Sequence, residues 1–204
     1  MPRQPTIVGN PVLLVIDIQA SAFMPVKAGI PTMPGYRAAM ERACALIAEC
    51  RRLNVPTIYF QEAHRRDMID YGRELDGTET IHCMEGEPGT PLADAQTGRR
   101  ESDYFIRKRR YSCFFGTELE ILLKGLKAQT LIMVGGMTDV CVHYTFADAH
   151  QHDYHCRVAV DAVGGTSPEA HAASLAAMEY LQTGANLSAD EVVAALAARA
   201  ARAA

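Results

Sequence analysis

Cys141 lies in "VGGMTDVCVHYTFADA", Val134 to Ala149, where an apolar run reaches two glycines and a helical pattern begins. A thiol in the first turn of a helix meets unpaired backbone N–H groups and the positive end of the aligned peptide dipoles, and both favour thiolate over thiol. The same N–H groups suit a developing oxyanion. Asp17 comes directly after "VLLVI", a buried-strand pattern. A carboxylate there is costly without a partner, so it is either a cap or a base for the thiol proton. Lys108 begins "KRRYSCFFGT", where an ammonium could keep Asp17 ionised and stabilise negative charge. Taken singly, each residue has a plainer explanation: a packed cysteine, a capped turn, a solvated basic run. Chemistry requires that the fold bring the three together.

The elements that must do so are visible in the hydrophobic spacing. Residues 12–16 read as a strand buried on both faces, residues 36–53 as a helix, and residues 56–61 as a second strand. Residues 65–98 are polar and rich in Gly and Pro, a loop region with room for a short strand or a helical turn. A third strand is expected at 104–106 and a fourth at 130–134. Between them Thr117 and Glu120 form a capping box for a helix through about Lys124. A helix over 139–151 leads to a fifth strand at 155–160, closed by Asp161. Ser167 and Pro168 start the next helix as N-cap and first helical residue. A brief strand at 185–187 precedes an Ala-rich helix capped by Ser188 and Glu191. Strands alternating with helices predict an α/β fold, a parallel sheet covered on both faces. Sites in such sheets lie at the carboxyl ends of the strands. That rule selects Asp17, Glu62 with His64, Lys108, Gly135 to Cys141, and Asp161.

The 204 residues suit one domain, 1–204, with a sizeable core. A formal net charge of −4 gives no global bias towards nucleic acid or membrane surfaces. Six cysteines show no C-x-x-C pair and no zinc-finger spacing, and no stretch is apolar enough to span a bilayer. The first residues lack the apolar core of a signal peptide. The expectation is a soluble cytoplasmic protein with reduced thiols, without nucleic-acid or membrane partners.

Three segments together carry a resemblance. "VIDIQASAF" supplies Asp17, Gln19 and Phe23; "KRRYSCFFGTELEILL" supplies Lys108, Ser112, Phe114 and Thr117; "GGMTDVCVHYTFADA" supplies Thr138, Cys141, Val142, Thr145, Asp148 and Ala149. In this order and at these strand ends, the chain resembles the isochorismatase-like cysteine hydrolase superfamily, which includes nicotinamidases and N-carbamoyl amide hydrolases. The resemblance implies a three-layer α/β/α sandwich, Rossmann-like, around a mostly parallel sheet. It implies a catalytic triad of Asp17, Lys108 and Cys141. It also implies a cis peptide joining Gly136 to Met137, and an oxyanion hole from the backbone N–H groups of Met137 and Cys141. The family's usual Asn-Asp before the phenylalanine is Ser21-Ala22 here.

The activity so implied is hydrolysis of a C–N bond in a small linear amide or ureide through a thioester. The alternatives are vinyl ether hydrolysis of the isochorismatase type, disfavoured by the presence of Cys141, and nicotinamidase activity. Gln19, Phe23, Glu62, His64, Arg65, Tyr111 and Phe114 are the expected pocket residues. Arg65, Arg66 and Arg73 are further candidates to grip a substrate carboxylate bidentately. The nicotinamidase branch binds a divalent metal through Asp-x-His and a second nearby histidine. Here Glu62 and His64 keep the spacing, but no histidine follows until His82. No metal and no cofactor are therefore expected. The resemblance further implies a homodimer or homotetramer.

Overall fold

The computed structural model describes residues 5–25 and 30–203. Strand β1 is Asn10–Ile16, and helix α1, Tyr36–Arg52, leads to β2, Thr57–Glu62. The long connection that follows contains a short helix α2, Asp94–Thr97, and ends in β3, Tyr104–Lys108. Then come α3 (Leu119–Gly125), β4 (Ala128–Gly136), α4 (His143–Gln151), β5 (His155–Gly164), α5 (Pro168–Leu181), β6 (Asn186–Leu187) and α6 (Ala189–Ala203). All strand pairs are parallel, in the order β3-β2-β1-β4-β5-β6.

Side chains alternate across the central strand and divide the core into two layers. Leu13 and Val15 join Met40, Leu46 and Ile47 of α1 and Val192 of α6. Val12, Leu14 and Ile16 join Leu119 and Leu123 of α3, Phe146 of α4 and Met178 of α5. The chain runs outwards from β1 through β2 to β3, then returns to β4 on the other side. Neighbouring β1 and β4 thus send their connections to opposite faces, and a crevice opens beyond their carboxyl ends.

Capping chemistry explains several boundaries. Ser167 Oγ accepts from Ala170 N–H at 3.1 Å, with Pro168 behind it. Ser188 and Glu191 form a reciprocal box: Glu191 N–H donates to Ser188 Oγ at 3.2 Å and Ser188 N–H to Glu191 Oε2 at 2.7 Å. Thr117 and Glu120 do not make the predicted box. Thr117 Oγ1 accepts from Leu119 N–H at 3.2 Å, and Glu120 turns outward to Lys124. Asp161 does not close β5, which continues to Gly164. Its carboxylate instead accepts from Ala189 N–H at 2.7 Å at the start of α6 and pairs with Arg42, so it stands outside the crevice residues. No helix among the described residues is long and apolar enough to cross a membrane.

Candidate active site

The end of β1 is shaped to present a carboxylate. Asp17 adopts φ +52, a left-handed conformation that aspartate tolerates better than most residues. Its N–H donates to the Phe60 carbonyl at 3.2 Å, and Oδ1 accepts from Glu62 N–H at 2.8 Å. The free oxygen, Oδ2, lies 2.8 Å from Lys108 Nζ. Gly135 carries φ +113, and a Cβ there would run into the Ile16 carbonyl, so only glycine lets β4 pass so close to β1. The Gly136–Met137 peptide is cis. A π-helical turn, Thr138–Val142, then carries Cys141 into α4.

Lys108 is 1% exposed, and Nζ touches four groups. They are Asp17 Oδ2 at 2.8 Å, Glu62 Oε2 at 2.7 Å, the Arg110 carbonyl at 3.0 Å and Cys141 Sγ at 3.4 Å. Glu62 Oε2 also lies 3.4 Å from Cys141 Sγ. Two carboxylates therefore flank one thiol across one ammonium. Their electrostatics differ. Burial, opposed by Lys108 and reinforced by Glu62, raises Asp17 to about 6. Burial acts on Glu62 as well, but Lys108, His64 and His82 outweigh it and hold the group well below the usual range. Burial works against the Lys108 charge, yet Asp17, Cys141 and Glu62 keep it firmly protonated. Cys141 departs from expectation. Burial and the two carboxylates push its thiol well up despite Lys108, whose charge is already matched by Asp17 and Glu62. These surroundings favour the protonated thiol of Cys141 over its thiolate.

Behind Glu62 the chain closes a second cluster. His64 pairs with Met84 in an isolated parallel bridge: its N–H donates to the Cys83 carbonyl at 2.8 Å, and Glu85 N–H donates back to the His64 carbonyl at 2.8 Å. That return brings His82 beside His64, although eighteen positions separate them, and it corrects the expectation that His82 was too remote to matter. His82 Nε2 lies 3.1 Å from Glu62 Oε1, and His64 Nε2 lies 3.1 Å from Glu74 Oε2. Glu62, His64, Glu74 and His82 present one donor atom each within 4.8 Å of one another, all buried. Glu74 Oε1 has no hydrogen-bond partner among the described residues. Two imidazoles and two carboxylates, one with an orphaned oxygen, fit a divalent cation of the zinc type.

The crevice is a cavity of about 810 Å³. Asp17, Gln19, Glu62, His82, Met137 and Cys141 form its floor, and apolar residues including Met24, Ile30, Met33, Ile81 and Met84 form its mouth. Of the expected pocket residues, Gln19 and Glu62 line this cavity, and Phe23, His64, Arg65, Tyr111 and Phe114 do not. Phe23 packs on the α1 side of the core under Arg37, and His64 is sealed behind Glu62 against the Tyr71 ring, 4.0 Å away. Arg65 pairs with Asp67 at 2.8 Å. Tyr111 donates to Glu79, and Phe114 stacks on His152. Arg66 and Arg73 also face other partners, the Glu85 carbonyl and Asp76. Spacing along the chain missed Tyr36, Glu74, His82 and Cys83. Only His82 carried a usable signal, as the next histidine after a carboxylate-x-His pair.

The isochorismatase domain model matches residues 11–191. The chain belongs to the isochorismatase family. Within that family it is 30% identical over 177 residues to a probable inactive nicotinamidase of Arabidopsis thaliana, covering 84% of this chain and 89% of that one. It is 30% identical to a maleamate amidohydrolase of Pseudomonas putida, over 81% of this chain and 78% of the relative. The crystal structure of a pyrazinamidase of Pyrococcus horikoshii in complex with zinc shares 26% identity and a TM-score of 0.75, covering 88% of this chain and 99% of that one. Both the crevice and the four-donor cluster lie inside the matched residues.

Proposed function

We propose that this isochorismatase-family protein is a cysteine-dependent amidohydrolase that cleaves the C–N bond of an amide or ureide through a thioester on Cys141. The observation carrying this reading is the single ammonium, Lys108, in contact with Asp17, Glu62 and Cys141 at the floor of the cavity. A similar protein named for maleamate hydrolysis supports the reaction class.

Asp17 and Glu62 divide the acid–base work by their environments. A carboxyl near 6 both takes and returns a proton around neutrality, whereas one held well below the usual range stays an anion. Asp17 accepts the Cys141 S–H proton as sulfur attacks the carbonyl carbon. The C=O electron pair moves onto oxygen, and the Met137 and Cys141 N–H groups receive it. As that oxyanion collapses, the C–N bond breaks, and Asp17 gives its proton to the departing nitrogen. Water then attacks the thioester, its proton goes to Asp17, and the C–S bond breaks. The sulfur leaves as thiolate and recovers the proton from Asp17. Lys108 balances the charge throughout, and Glu62 holds Lys108 in place.

A divalent cation, if bound, would be held by Glu62, His64, Glu74 and His82 and would polarise a donor atom of the substrate at the cavity floor. The chemistry assigned to Asp17, Lys108 and Cys141 does not pass through it. The cavity volume and its apolar mouth favour an acyl group with an apolar body over a urea-sized molecule. An ammonia-release screen over aliphatic, aromatic and carbamoyl amides tests the reading. Mass spectrometry should trap an acyl adduct on Cys141, and Cys141→Ala should abolish turnover. An active Cys141→Ala protein would overturn the proposal.

A further inference from the structure

Tyr36 is the first residue of α1 and lines the same crevice as Cys141. Its seat is built from two glycines. Gly136 and Gly164 stand in register on β4 and β5. A Cβ on Gly136 would overlap the Tyr36 hydroxyl, and a Cβ on Gly164 would overlap the same ring at Cδ2. Two bare backbone positions side by side thus form a flat platform for one phenol. The chain before it is shaped to the same end: Gly35 takes φ +83, and Tyr36 N–H donates to the Met33 carbonyl at 3.1 Å.

The hydroxyl at the end of this ring abuts Gly136, the residue whose carbonyl carbon bears the Met137 N–H. The phenol and the Met137 backbone thus border the same part of the crevice that Cys141 lines. Among the described residues the hydroxyl has no hydrogen-bond partner, unlike the buried Tyr71 hydroxyl, which engages the His82 backbone. Burial and the facing Asp17, Cys141 and Cys83 all resist loss of the phenolic proton, so the group is a donor and stays one.

We propose that the Tyr36 hydroxyl is a third donor to the substrate carbonyl oxygen, acting with the Met137 and Cys141 N–H groups. The proposal rests on the thioester reading above and adds a side chain to it. As sulfur bonds to carbon, negative charge passes to that oxygen, and a fixed phenol O–H stabilises it without reorganising.

Two probes separate this role from others. Acetylation of Cys141 by p-nitrophenyl acetate passes through an oxyanion; alkylation by iodoacetamide does not. Tyr36→Phe keeps the ring on its platform and removes only the donor. The expected result is a loss of about 10²-fold in acetylation rate, the typical effect of deleting one oxyanion donor, with alkylation and the melting midpoint unchanged. A fluorotyrosine at position 36, which keeps a hydroxyl, should restore acetylation to within threefold. Acetylation of Tyr36→Phe within twofold of wild type overturns the proposal and leaves the thioester mechanism standing. An equal fall in acetylation and alkylation also overturns it, since Tyr36 would then act on the thiol. Failure of the wild type to be acetylated at Cys141 removes both readings together.

Discussion

The floor and the mouth of the cavity are built on opposite principles. At the floor and directly behind it, Asp17, Glu62 and His82 with Lys108, His64 and Glu74 are almost fully buried, and each charge faces an opposite one within 4 Å. At the mouth, Met24 and Ile81 are 37% and 52% exposed, and Met33 and Met84 are half-buried. Buried charges tolerate little movement because every lost partner leaves an uncompensated ion. Unbranched thioethers repack at small cost. On the function proposed above, the first region would fix the reaction and the second the range of substrates.

Substitutions should respect that boundary. Lys108→Met strands two buried carboxylates, and breaking a buried ion pair costs about 3–5 kcal/mol. Urea denaturation should show that loss, together with complete loss of turnover; a stability within 1 kcal/mol of wild type would mean that the floor is wetter than its contacts indicate. Asp17→Asn keeps shape and most hydrogen bonds but cannot take the thiol proton. Single-turnover acylation should fall by about 10²–10⁴-fold with little change in stability, and equal rates would transfer the base role to Glu62.

The acid limb of the pH profile reports the same group. Asp17 must be ionised to act, and its carboxyl is raised to about 6, so kcat/KM should be flat above that value and fall tenfold per pH unit below it. A limb near 4 would place the working base elsewhere. At the mouth, Ile81→Ser and Met84→Ala should raise KM for apolar amides by about 3- to 10-fold, from roughly 1 kcal/mol of lost apolar burial, and leave acylation by acetamide unchanged. A fall in kcat for acetamide would erase the distinction between the two regions. Exhaustive chelation should change single-turnover acylation by less than twofold, because Lys108 holds Glu62 Oε2 directly. Loss restored by zinc would make the four-donor cluster part of the catalytic machinery.

How much of this was legible in the sequence follows the range of the forces involved. Strand and helix placement depends on local periodicity, and the strands of the sheet lie where apolar runs predicted them, β1, β3, β4 and β5 running two to four residues longer, β2 shifted by one and β6 shorter by one. Asp17, Lys108 and Cys141 were legible because each lies at or just beyond the carboxyl end of a strand of a parallel sheet, where topology makes strand ends converge, and because the three resembling segments singled them out. Asp161 misled the same rule, since β5 runs on to Gly164. His82 and Glu74 were illegible because a loop return, fastened by the bridge at His64 and Met84, determines their place. Tyr36 was illegible for another reason. Its seat is a pair of missing side chains on strands a hundred residues away, and nothing near Tyr36 announces it.

The segment after His82 has an unusual fastening. The Thr90 carbonyl accepts from Gln19 Nε2 at 2.6 Å and from Gln61 Nε2 at 2.9 Å, one amide just past β1 and the other near the end of β2. Residues 89–93 are laced to residues 18–21 as well, through Ser21 N–H to the Gly89 carbonyl and Ala93 N–H to the Ile18 carbonyl, both at 3.0 Å. Met84, Glu87 and Pro88, which line the cavity, thus hang between one secured end at His64 and another at Thr90. The arrangement is that of a strap buckled at both ends: the side chains of Met84, Glu87 and Pro88 are the part open to exchange, whereas Glu85, paired with Arg109, and Gly86, at φ +85 against Arg66, belong to the buckle.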